Sequence, residues 1–191
     1  LAEIPFYAVG HFISKHLPGI STDYLTLFTT SLTNVLICTL WVLLFFQMTH
    51  RLGYQHKTKI YLTFIFGLGS MVFPYAGYGF SEPLVGLSLL GATICFLHFK
   101  RKQNPWSLAA AGTCVAFATL TKFYSLITLP IFLFYLRPTL KTRISKKLIY
   151  SIFSLFLPLT ICLILISWHN WIRYESIFKT GYHIDHLSEM G

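Results

Sequence analysis

Three ionisable side chains stand at the edges of long apolar runs in this sequence. Glu82 lies in the stretch YGFSEPLVGL between two such runs, Lys122 interrupts the apolar stretch 106–136, and Arg173 follows the last run. An ionisable group at a membrane boundary is costly unless it is solvated or paired, so each is a candidate functional residue. Lysine and arginine at headgroup depth are suited to bind a phosphate, arginine through two parallel hydrogen bonds. The sequence therefore predicts anion binding by Lys122 and Arg173.

Each candidate also has a purely structural interpretation. Glu82 fits a solvated turn residue, because Pro83 is favoured at the first position of a helix. Lys122 fits a side chain that extends to the membrane surface and marks a turn. Both interpretations stay open on the residues alone.

Metal binding has weaker support in the sequence. His183, Asp185 and His186 stand close together near the end of the chain, but a solvated loop is the favoured interpretation of so short a stretch. The four cysteines lie within apolar runs and form no CxxC pair, which is typical of buried apolar residues. No residue is therefore assigned to a metal site.

The composition indicates a membrane protein. Apolar residues make up 54% of the chain and charged residues 11%, whereas soluble domains carry about 25% charged residues. The net charge of +9 does not indicate nucleic-acid binding, because the basic residues form short clusters between apolar runs, as cytoplasmic loops do.

The apolar runs predict an all-α transmembrane bundle of about six spans. A span needs about 20 apolar residues, and the candidate stretches are 24–48, 60–78, 83–99, 106–136 and 148–168. The three basic clusters between them belong on the cytoplasmic side. That requires the stretch 106–136 to cross twice, with a turn near Lys122. Both chain ends, and all six carboxylates, then lie outside the cytoplasm.

Three regions follow from this topology. Residues 1–21 hold apolar side chains at every third or fourth position and predict an amphipathic helix on the outer interface. Residues 22–168 form the bundle, and residues 169–191 form an outer loop. The protein is expected to be a multi-pass membrane protein that contacts membrane lipids.

The order of these motifs resembles the GT-C membrane glycosyltransferases, in the branch of the protein O-mannosyltransferases and aminoarabinose transferases. The similar features are an interfacial helix with Pro-Phe-Tyr, Ser81-Glu82-Pro83-Leu84 between spans, a Leu120-Thr121-Lys122 turn, Asn170-x-x-Arg173-Tyr174, and Thr180-Gly181-Tyr182.

The resemblance implies an enzyme that transfers a sugar, with inversion, from a polyprenyl-phosphate donor on the extracytoplasmic face. It implies that Lys122 and Arg173 bind the donor phosphate and that Glu82 and Tyr182 lie at the cavity rim, Glu82 as an acceptor-orienting or metal-linked carboxylate. A divalent cation is left open as a cofactor, as are the sugar and the acceptor. A bacterial plasma membrane is favoured over the endoplasmic reticulum.

The family carries its catalytic aspartate just after the first span. That residue is expected upstream of residue 1, so the chain is interpreted as a fragment that is inactive alone. The alternatives are a transporter or flippase-like protein, with Glu82 and Lys122 in a substrate path, and a non-catalytic subunit that keeps the fold.

Overall fold

The structure, a computed structural model, describes residues 3–16, 19–141 and 146–177, without the side chains of 137–141 and 146–148. Over these ranges it contains eight α-helices, one 3-10 helix and no strand. The helices are α1 (Ile4–Ser14), α2 (Thr22–Arg51), α3 (His56–Leu68), α4 (Val72–Ala76), α5 (Glu82–Lys102), α6 (Pro105–Thr121), α7 (Thr128–Lys141) and α8 (Lys146–Tyr174), with the 3-10 helix Phe123–Ile127 between α6 and α7. The all-α prediction is confirmed for this part of the chain.

Three helices are long and apolar enough to cross a membrane. They are α2, α5 and the Ile149–Tyr174 part of α8. Large apolar side chains of α8, such as Ile161, Ile164 and Trp168, are exposed on the protein surface. Lipid tails would cover that surface, because a soluble protein rarely leaves so much contiguous apolar area open. The chain is therefore an integral membrane protein.

The expected span 60–78 differs from the structure, which divides it into α3 and α4. The break falls at Gly69 and Ser70, where the Gly69 N–H donates to the Ile65 carbonyl at 2.8 Å and the Ser70 hydroxyl donates to the Phe66 carbonyl at 2.5 Å. Glycine propagates a helix poorly, and a serine that bonds back four residues bends one.

The predicted turn near Lys122 is confirmed. Lys122 has extended backbone angles of φ −143° and ψ 110° and separates α6 from the 3-10 helix. Lys122 contacts Glu82 at the start of α5, whereas Phe132 stacks on Phe96 with centroids 4.5 Å apart, further along α5. The helix α6 therefore runs antiparallel to α5, and α7 runs parallel to it. The segment 106–136 reverses direction rather than forming one rod.

The core lies where α5, α6, α7 and α8 meet. Its fully buried members include Phe96, Phe99, Leu108, Leu136 and Leu155. Close approach between α6 and α8 depends on Gly112, since a Cβ there would lie 2.2 Å from the Leu155 carbonyl oxygen. Small residues at helix contacts allow such approach in lipid, where helix association relies on van der Waals packing.

The predicted amino-terminal helix is confirmed as α1, which packs across the first turns of α2. Gly10 is its buried residue, and a Cβ there would lie 2.2 Å from Thr29 Oγ1. Ile4, Tyr7 and Phe12 are exposed, as expected of a helix with one face in lipid. Its position at the outer interface stays a prediction.

The described carboxylates lie at one end of the bundle, and most of the described basic residues lie at the other. The described carboxylates, Glu3, Asp23, Glu82 and Glu175, lie at the end where α2 and α5 begin and α8 finishes. At the opposite end lie the basic residues Arg51, Lys57, Lys59, Lys100, Arg101 and Lys102. These are called the acidic end and the basic end below. The number of spans, and which end faces the cytoplasm, stay predictions.

Candidate functional site

Glu82 and Lys122 form an ion pair at the acidic end. Pro83 opens the first turn of α5 and Lys122 directly follows α6, so antiparallel packing of these helices brings the two side chains together. Lys122 Nζ lies 3.3 Å from Glu82 Oε1. The sequence placed both residues at one membrane surface, and the structure joins them.

The pair is only partly open to solvent. The Lys122 and Glu82 side chains are 23% and 36% exposed. The second carboxylate oxygen, Glu82 Oε2, is buried and has no hydrogen-bond partner among the described residues. Charges interact more strongly in such an environment than in bulk water. Glu82 is therefore paired rather than a fully solvated turn residue, whereas Lys122 still fits a side chain that marks a turn.

A cleft of about 670 Å³ is lined by chain neighbours of this pair, although Glu82 and Lys122 are not themselves among its lining residues. The neighbours Ser81 and Thr121 lie in its wall, which is completed by Glu3, Thr33, Asn34, Ile37, Gly79, Phe80, Leu84, Phe117 and Leu120. Glu3 brings a carboxylate to the cleft, with Oε1 3.7 Å from where a Cβ on Gly79 would lie. Thr33 Oγ1 is buried there without a hydrogen-bond partner among the described residues. The cleft thus combines an apolar wall with polar groups, as ligand sites commonly do.

Asn34 holds the loop that leads into Glu82. Its side chain is 4% exposed, and its amide nitrogen donates to the Tyr78 carbonyl and to the Phe80 carbonyl at 2.9 Å. Sequence reasoning missed this residue. Asn34 carried a usable signal, because an amide within the apolar run 24–48 is expensive unless it finds partners.

Replacing Asn34 by aspartate is expected to loosen this loop. Aspartate has nearly the same shape but no N–H donor, so the Tyr78 and Phe80 carbonyls lose their partner. We expect faster hydrogen exchange or proteolysis at 78–80 and a loss of stability of about 1–3 kcal/mol.

Thr39→Val is the matched control on α2, since among the described residues the Thr39 hydroxyl donates within its own helix, to the Val35 carbonyl at 2.8 Å. Equal protection of 78–80 in Asn34→Asp and Thr39→Val would contradict the positioning role.

Arg173 lies outside the lining of the cleft near Glu82 and Lys122. Arg173 lies in the last turn of α8 and lines a separate recess of about 510 Å³ with Trp168, His169 and Ile172. Tyr182 lies outside the described residues, as does the stretch with His183, Asp185 and His186. Among the described residues, no group of three or more His, Cys, Asp or Glu side chains is placed to hold a metal ion.

Comparison with known proteins gives one family. A family model described as dolichyl-phosphate-mannose-protein mannosyltransferase matches residues 10–179. The comparisons with curated proteins and with solved structures found no match. The matched range includes Asn34, Glu82, Lys122 and Arg173 and covers most of the 191 residues. The chain belongs to the dolichyl-phosphate-mannose-protein mannosyltransferase family, which is a family of membrane glycosyltransferases.

Proposed function

We propose that this chain forms the donor-phosphate region of an enzyme that transfers a sugar from a polyprenyl-phosphate carrier. The observation that carries the proposal is the Glu82–Lys122 pair at 3.3 Å beside the cleft, in a chain of this family. The cleft lies where α5 begins and beside residues 33–37 of α2, and both helices are of membrane length. A lipid-linked phosphate would arrive at that depth.

Lys122 is proposed to contact the donor phosphate. In the transfer, an acceptor oxygen bonds to the anomeric carbon and the bond from that carbon to the phosphate oxygen breaks. The phosphate leaves with the bonding electrons, and the acceptor proton passes to a carboxylate. A fixed ammonium group beside the leaving oxygen stabilises the negative charge that develops there.

Glu82 is proposed to act through Lys122 rather than on the sugar. A flexible lysine loses rotamer entropy when it is held in one place, and the carboxylate at the start of α5 offsets that cost. The N-terminal position also suits a negative charge, since the helix dipole is positive there. Glu82 is thus a positioning residue at the cavity rim, which is the place that the family resemblance implies for it.

Arg173 is proposed as a second phosphate ligand. Its recess at the end of α8 contains Trp168, an aromatic residue of the kind that anchors at the membrane interface. Nearby, the buried Asn170 amide donates to the Ile177 carbonyl at 3.3 Å and holds the chain that leaves the helix. Tyr182, further along, is proposed to complete the rim.

The substrates follow from the family description. It names a dolichyl-phosphate mannose donor and a protein acceptor, so mannose and protein are the first to test. The acceptor-activating carboxylate is not assigned to a residue of this chain. We propose that the acidic end faces away from the cytoplasm, in a six-span protein of a bacterial plasma membrane.

The activity can be tested with membranes that contain the full-length protein. Labelled polyprenyl-phosphate mannose is expected to lose its sugar to protein and to release polyprenyl phosphate, whereas a nucleotide-linked mannose gives no transfer. Transfer from the nucleotide sugar alone would contradict the proposal. Movement of intact donor across the bilayer, without cleavage, would favour the transporter alternative.

The membrane orientation gives a further prediction. Cysteine introduced at the exposed residue Tyr124, after the Lys122 turn, is expected to react with an impermeant maleimide added outside, because the acidic end faces out. Cysteine introduced at the exposed Lys57 of the basic end is expected to react only after the membrane is opened. The protein without an introduced cysteine measures the background labelling of the four native thiols. Labelling of both sites from the same side would contradict the double crossing.

A further inference from the structure

A second recess lies at the basic end, away from the cleft. It measures about 230 Å³ and is lined by Arg51, Leu97, His98, Arg101 and Lys102. The helix α5 has 21 residues between Glu82 and Lys102, which corresponds to about 30 Å at 1.5 Å per residue. The recess is therefore distinct from the proposed donor-phosphate region.

Parallel packing of α2 and α5 creates this recess. Both helices end in basic residues, Arg51 on α2 and Lys102 on α5. Their last turns lie side by side, as the Arg101 guanidinium shows by donating to the Arg51 backbone carbonyl at 2.5 Å. A cation at a helix C-terminus is favourable because it meets the negative end of the helix dipole. That explains Arg101, but not why further cations surround the same recess.

His98 gives the independent observation. Its Nε2 is buried and has no hydrogen-bond partner among the described residues, although buried polar groups are nearly always paired. Arg51, Arg101 and Lys102 are the charged groups around it, and all are cations. The described carboxylates lie at the acidic end. The recess thus presents positive charge and a potential N–H donor with no anion of the described chain to balance them.

The depth of the recess indicates the source of the missing anion. The helices α2 and α5 both have the length and apolar composition of membrane spans, so their ends lie near the lipid headgroups. Basic pockets between transmembrane helices at such a surface bind anionic headgroups. Leu97 in the wall supplies an apolar contact beside the charges.

We propose that the recess formed by Arg51, His98, Arg101 and Lys102 binds the phosphate of an anionic phospholipid headgroup. The arginine forks suit phosphate oxygens, and rotation of the His98 ring would bring its buried Nε2–H to the phosphate. The lipid would join the ends of α2 and α5 at the surface opposite the sugar-transfer site. This inference does not depend on the proposed function.

Native mass spectrometry of the full chain in detergent tests the proposal. With phosphatidylglycerol and phosphatidylcholine added in equal amounts, we expect phosphatidylglycerol to be retained preferentially. The variant Arg51→Gln/Lys102→Gln is expected to bind it about 25-fold more weakly, since each basic residue near a membrane surface contributes about fivefold. Lys57→Gln/Lys100→Gln is the matched control, because it also removes two positive charges from exposed sites at the same end. We expect that control to change binding less than about twofold.

Variants of His98 and a soluble competitor complete the test. His98→Gln keeps an N–H donor and is expected to bind phosphatidylglycerol as the wild type does, whereas His98→Leu is expected to bind it more weakly. This comparison remains informative even if Arg51→Gln/Lys102→Gln fails to fold. Equal retention of both lipids would overturn the proposal. So would equal loss in Lys57→Gln/Lys100→Gln and in Arg51→Gln/Lys102→Gln, which would indicate surface charge alone. Full displacement of phosphatidylglycerol by inorganic phosphate would assign the recess to a soluble phosphate instead.

Discussion

Replacing Lys122 by alanine is expected to lower sugar transfer from a polyprenyl-phosphate donor by about 10²–10³-fold, the usual effect of removing one group that stabilises transition-state charge. The loss is expected mainly in kcat, because the charge on the leaving phosphate oxygen increases as the bond breaks. The measurement is steady-state transfer by the full-length protein in membranes, with matched protein amounts. Lys122→Arg keeps the charge and is expected to retain part of the activity.

Lys15→Ala is the matched control for this prediction. Lys15 is an exposed lysine at the acidic end, directly after α1, so its removal changes the local field by the same charge without touching the pair. We expect it to leave the transfer rate within about twofold, the scale of a screened surface charge. Full activity in Lys122→Ala, or an equal loss in Lys15→Ala, would contradict the phosphate role.

Glu82→Gln separates positioning from direct chemistry. Glu82 is proposed to hold the Lys122 ammonium, which lies 3.3 Å from its carboxylate. Glu82→Gln should then lower the transfer rate strongly when Lys122 is present, and hardly at all in the Lys122→Ala variant. A double-mutant cycle measures this coupling. Additive effects of the two substitutions would show that Glu82 acts on the substrate independently of Lys122.

The sequence predicted the parts of this site but not their contacts. Glu82 and Lys122 were identifiable one at a time, because a charge at the edge of an apolar run has few structural reasons to be there. Their common end followed from the distribution of basic clusters. The ion pair itself depends on the antiparallel register of α5 and α6, which is set by side-chain packing between helices and is not visible in hydropathy.

Two other features show what hydropathy does not reveal. The stretch 60–78 is apolar throughout and gave one expected span, yet local hydrogen bonding at Gly69 and Ser70 divides it into α3 and α4. Asn34 was overlooked because its role depends on hydrogen bonds to two carbonyls that lie 44 and 46 residues away, in the loop before Glu82. Such partners are fixed by tertiary packing. Tyr182 and the His183–Asp185–His186 stretch lie outside the described residues, so those predictions stay as they were.

Replacing Gly112 by alanine is expected to destabilise the bundle, although the same change usually stabilises a helix. In a helix interior, alanine is favoured over glycine by about 1 kcal/mol. At Gly112, however, the new Cβ would lie 2.2 Å from the Leu155 carbonyl oxygen and 3.0 Å from its carbon. The obstacle is backbone of α8 and cannot rotate away, so α6 and α8 must separate. Overpacking of this kind costs about 1–3 kcal/mol.

The measurement is the apparent unfolding temperature in detergent, where that cost corresponds to a decrease of roughly 2–12 °C for a chain of this size. Gly77→Ala is the matched control, because the nearest atom to its Cβ would be the Pro74 carbonyl oxygen at an ordinary 3.7 Å. We expect little change in that variant. A higher unfolding temperature in Gly112→Ala would show that intrinsic helix propensity outweighs the contact.

The same substitution links the bundle core to the site. Ala116 lies one turn beyond Gly112 on α6, and its carbonyl accepts a hydrogen bond from the Cys162 thiol of α8 at 3.4 Å. The half of α6 that leads to Lys122 is therefore held against α8. Separation of these helices would move Lys122 relative to Glu82, which sits on α5. Gly112→Ala should therefore lower transfer activity below the unfolding temperature as well. Unchanged activity with reduced stability would show that α5 and α6 hold the pair without support from α8.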